Sequence, residues 1–78
     1  MLRKVYEYIK DDEFRFTVYD KKIHVVNYKK IISLKNTFVS IKGDFTINIY
    51  GRDLVLNSLL DSEILIIGNI SNVEVIYD

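Results

Sequence analysis

Phe45-Thr46-Ile47-Asn48-Ile49-Tyr50-Gly51-Arg52-Asp53-Leu54-Val55-Leu56 is the stretch that decides the fold. Phe45, Ile47 and Ile49 alternate with Thr46, Asn48 and Tyr50, the two-residue period of a strand with one buried face. Gly51-Arg52-Asp53 reads as a turn, and Leu54 and Leu56 open the next run. The same grammar continues downstream. Asn57-Ser58 marks a bulge or corner, Asp61-Ser62 separates Leu59-Leu60 from a strand beginning at Glu63, and Gly68-Asn69 precedes Ile70, Val73, Val75 and Tyr77.

Upstream, Phe14, Phe16 and Val18 alternate with Arg15, Thr17 and Tyr19, and Asp20-Lys21-Lys22 leads into Ile23, Val25 and Val26 as a first hairpin. Residues 30–34 and 37–42 flank Lys35-Asn36 as a second. Residues 1–12 are ambiguous, because Leu2, Val5, Tyr6 and Ile9 fall at helical spacing; a short N-terminal helix is expected there. The chain is therefore expected to be a single all-β domain over residues 1–78, with an N-terminal segment at 1–12 and a β core at 14–77. About eight short strands would form a small antiparallel sandwich or a rolled, solenoid-like sheet. The irregular spacing of Gly43, Gly51 and Gly68 speaks against a true repeat.

Composition narrows the function classes. With 78 residues, a single small domain buries only about 60% of the surface of its unfolded chain, so close packing or self-association must stabilise it. There is no cysteine, which removes thiol catalysis, disulfides and cysteine zinc sites. The longest apolar run, residues 64–67, is far short of the roughly 20 residues of a membrane helix, and residues 1–10 lack a signal-peptide core. A soluble, cytoplasmic chain is expected.

Charge is balanced overall, 11 bases against 11 acids, but not along the chain. Residues 1–42 hold ten bases and five acids, and residues 43–78 one base and six acids, so the halves stand at +5 and −5. Either the halves pair in one sheet and mix their charges, or the protomer is a dipole that associates head to tail.

The chemistry-bearing residues read mostly as structural. His24, the only histidine, alternates with Ile23 and Val25 on an outer face and has no nucleophile or orienting carboxylate nearby in sequence. Asp11-Asp12-Glu13 lacks the spacing and glycine of a calcium loop, and Asp44 and Asp53 follow glycines, where short acids stabilise turns. Asn69-Ile70-Ser71 matches a glycosylation acceptor, but without an export signal it reads as chance. No catalytic, cofactor-binding or metal residue is assigned, and no small-molecule substrate is expected. Lys21, Lys22, Tyr28, Lys29 and Lys30 place bases beside an aromatic ring, as a single-strand nucleic-acid module would; the balanced charge opposes that reading.

The strand apolar on both faces, residues 64–67, is either central between two layers or covered by another protomer, and the six tyrosines either fill core edges or offer protein contacts. Tyr50, Leu65, Ile67 and Tyr77 are the candidate interface.

Val25-Val26-Asn27-Tyr28-Lys29-Lys30-Ile31, then Gly51-Arg52-Asp53-Leu54-Val55-Leu56, then the segment 63–74 ending in Asn72-Val73-Glu74, resemble in order and spacing the YabP/YqfC family of sporulation proteins. Val26 stands where the family often has glutamate, and Lys30 where it often has glycine. The resemblance implies a small all-β protein of the mother cell of an endospore former, working in spore-envelope construction, and carries no catalytic residues across. Its partner would be another copy of itself or another envelope protein.

Overall fold

The structure, a computed structural model, describes residues 13–77. It is all-β: β1 (Arg15–Val18), β2 (Lys22–Val26), β3 (Lys30–Leu34), β4 (Phe38–Lys42), β5 (Thr46–Leu60) and β6 (Glu63–Ile76). The expected N-terminal helix lies outside the described residues.

All six strands belong to one antiparallel sheet in the order β1-β2-β6-β5-β4-β3. The β1–β2 and β3–β4 hairpins form where the alternation and the Asp20-Lys21 and Lys35-Asn36 connections place them. Six strands replace the expected eight, because Gly51-Arg52-Asp53 and Gly68-Asn69 are bends inside β5 and β6 rather than turns between strands. A β carbon on Gly51 would sit 2.2 Å from the Asn69 carbonyl oxygen, and one on Gly68 would sit 2.6 Å from that of Asp53. Gly68 also has φ +150°, and Asp53 lies in the left-handed region at φ 55°. Glycine here lets two backbones close on each other while the ladder continues.

Each long strand carries one extra residue at the bend. Tyr50 faces Asn72 while Gly51 faces Ile70, and Arg52 faces Asn69 while Val55 faces Ile67. The odd spacings from Ile49 to Leu54 and from Ile66 to Val73 therefore still return to the inner face.

The bend folds the sheet over itself. The end of β2 lies beside the Leu60/Glu63 end of the β5–β6 pair, whereas β3 starts opposite Lys42, beside Thr46 at the other end. A straight β5 would hold those ends about 45 Å apart. Yet residues 27–29 join them, a link that reaches about 14 Å at most. The inner face must curl until its two halves meet.

Ile23, Val25, Ile64 and Ile66 from one half and Val39, Ile41, Ile47 and Ile49 from the other are all 0–1% exposed and form one core with Phe14 and Leu54. Phe14 closes it, its ring lying on Gly43 and 4.7 Å from the ring of Phe45.

The charge pattern follows the strand order. The acidic β5–β6 pair lies in the middle, flanked by the hairpin of Arg15, Lys21 and Lys22 on one side and that of Lys30, Lys35 and Lys42 on the other. The two sequence halves interleave within one sheet, so their charges do not separate into a two-ended dipole.

Candidate functional site

The outer face divides at the bend. On the β1–β2 side, Lys22, Ile67 and Val55 stand in one cross-strand row, and His24, Leu65 and Asn57 in the next. Leu65 is half-buried, while Val55 is 55% and Ile67 36% exposed. Ile64 and Ile66 point into the core. The strand apolar on both faces is thus central in its sheet, with Leu65 and Ile67 on the side away from the core.

His24 and Glu63 sit diagonally across the β2–β6 pair on that face, with Nε2 2.5 Å from Oε2. Sequence reasoning found no carboxylate for His24; the structure supplies one 39 residues away. A carboxylate that orients an imidazole is two-thirds of a catalytic triad's geometry, and the third part is a nucleophile within hydrogen-bond reach. Among the hydrogen bonds of the described residues, His24 has no hydroxyl partner, and the pair reads as a cross-strand clasp. Among the described residues no group of three or more His, Cys, Asp or Glu could hold a metal ion.

The other half of the outer face is polar. The Ser40 hydroxyl donates to Asn48 Oδ1 at 2.6 Å, Asn48 Nδ2 donates to Glu74 Oε1 at 3.2 Å, and the Tyr50 hydroxyl donates to the same oxygen at 3.2 Å. Ser40, Asn48 and Glu74 form a single cross-strand row over β4, β5 and β6. Ser40 is only 5% exposed, so its partner satisfies a hydroxyl that water does not reach. Tyr50 stands in the next row, its ring 5.0 Å from that of Phe38. Desolvation, then the hydrogen bond and negative charge of Glu74, hold its phenol above the usual value of 10.0.

The four candidate interface residues do not converge on one patch. Leu65 and Ile67 are neighbours on the first half, Tyr50 lies on the second, and Tyr77, 75% exposed, stands past the end of β6 with its ring 5.2 Å from Phe45.

The candidate nucleic-acid residues also divide. Lys21 and Lys22 lie at the start of β2, with Lys22 Nζ 5.3 Å from the centre of the Tyr19 ring. Tyr28, Lys29 and Lys30 lie beyond its end, where Lys29 pairs with Asp44 at 3.4 Å and Tyr28 packs against the core. Lys21 shares an open cleft of 420 Å³ at the bend with Arg52, Asn69 and Ser71. Ser71 is already committed, its hydroxyl donating to the Tyr50 carbonyl at 3.1 Å.

No helix among the described residues is long and apolar enough to cross a membrane. No protein-family model, curated protein or solved structure matches the chain.

Proposed function

We propose that the chain is a non-enzymatic structural or assembly protein of endospore formation, of the YabP/YqfC kind, acting in the mother-cell cytoplasm through contacts of its β surface. The observation that carries this reading is the apolar row on the outer face. Val55 and Ile67 remain exposed beside Leu65 in a sheet whose opposite side already holds a complete core, so folding alone does not use them. The order and spacing of the three sequence segments supply the biological setting. The partner is a second copy of the chain or another envelope protein.

The test pairs a mass measurement with a substitution. Light scattering at rising concentration should show association, and Leu65→Lys should reduce it and impair spore formation in the parent organism while the circular dichroism of the sheet persists. A strict monomer, together with normal sporulation of the Leu65→Lys strain, would overturn the reading. The alternative, a nucleic-acid module using Lys21, Lys22, Tyr28, Lys29 and Lys30, requires salt-sensitive binding of a labelled single strand. Absence of binding at low salt removes it.

A further inference from the structure

The sheet leaves four strand edges with a neighbour on one side only among the described residues: β1, β3, the part of β5 past the bend, and the part of β6 past the bend. Exposed edges invite pairing with another chain unless something blunts them. Three carry such a device. β1 is four residues long and begins with Arg15. β3 begins with Lys30, is followed by Lys35, and has a register shift between Ile31 and Ser33. The β5 edge is broken by a shift between Ser58 and Leu60.

From Asn72 onward the β6 edge has none of these; its one extra residue, Ser71, lies before that stretch, at the bend. Residues 72–76 pair with β5 in unbroken register, and residues 69–77 contain no Lys, Arg or Pro. Val75, Ile76 and Tyr77 are 36%, 42% and 75% exposed there.

We infer that β6 pairs antiparallel with β6 of a second copy about a two-fold axis at Val73, which joins the two sheets edge to edge. This rests on the assembly reading above, names its partner as a second copy, and adds an edge contact separate from the outer-face row around Leu65. Charge selects the partner and the register. The only ionised side chain in residues 69–77 is Glu74, already engaged by Asn48 and Tyr50, so self-pairing brings no cation against a cation. A two-fold at Glu74 would oppose two carboxylates, whereas one at Val73 sets each Glu74 opposite an Asn72 amide and Val73 opposite its own copy. An isologous contact of this kind closes on itself and grows no further. Its short edge makes the dimer concentration-dependent.

Because the chain has no cysteine, single substitutions report the contact directly. Full-length Val73→Cys, oxidised at a concentration where association is seen, should form a disulfide dimer at about ten-fold the yield of Val55→Cys on the β5 edge or Ile32→Cys on the β3 edge, since facing strand residues meet disulfide geometry. An equimolar mixture of Asn72→Cys and Glu74→Cys should cross-link in the same register, which keeps the test open if Val73→Cys folds poorly. No excess cross-linking in either experiment overturns the edge pairing. If light scattering still shows association, the assembly reading survives without this contact; a monomer at every concentration removes both.

Discussion

The Tyr50 hydroxyl is where a single side chain reports the outer face. Its phenol is held above 10.0 in the folded state, first by desolvation and then by Glu74, so the folded chain holds that proton more tightly than the unfolded chain does. The stabilisation is complete below the unfolded phenol's pKa and is lost as pH rises from there through the folded value. Unfolding midpoints in urea should therefore fall above about pH 10, and Tyr50→Phe should flatten part of that decline. In an absorbance titration, Glu74→Gln should bring one phenol's ionisation to lower pH. None of this was legible along the chain, because Glu74 lies 24 residues from Tyr50 and reaches it through the β5–β6 register. The same holds for His24, whose outward placement was readable from its neighbours but whose Glu63 partner was not.

At the scale of the element, the bend in β5 and β6 is the decisive local structure. Gly68→Ala must find room against the Asp53 carbonyl and the Leu54 backbone at a positive φ, two penalties that no side-chain rotation relieves. It should cost about 3 kcal/mol, read as a lower urea midpoint. Alternation and turn residues gave the ends of β1 to β4 to within a residue or two, since a two-residue period with Asp20-Lys21 or Lys35-Asn36 between runs has one simple solution. Gly51 and Gly68 had two solutions. A glycine that starts a turn and a glycine that lets two strands touch look alike in one dimension, and only the carbonyl standing across from each separates them. That ambiguity turned two long strands into four expected short ones.

For the whole molecule, closure of the curled sheet depends on residues distant in sequence. Phe14 precedes β1 at one end and seals the core against Gly43 and Phe45 at the other, being 4% exposed. Phe14→Ala should cost about 3–5 kcal/mol, because the vacated volume lies in a closed core beside Gly43 and Phe45. Scanning calorimetry would show the loss as a lowered Tm. The all-β class and the inward and outward faces followed from the sequence pattern. The choice among sandwich, roll and solenoid did not, because it is settled by the short link at residues 27–29 acting with the bend.

The strand order also dictates a sequence of events in time. β2 has β6 as its inner neighbour and β4 has β5, so neither early hairpin finds its permanent partner in chain already made when it emerges. The β5–β6 hairpin, by contrast, is closed by the two residues Asp61 and Ser62 and makes its pairings locally. It is the natural nucleus, onto which the earlier hairpins dock from either side at the entropic cost of closing long loops. On the ribosome, the β1–β2 hairpin must keep its inner edge uncovered until β6 has been made, whereas the β3–β4 hairpin can dock as soon as β5 emerges.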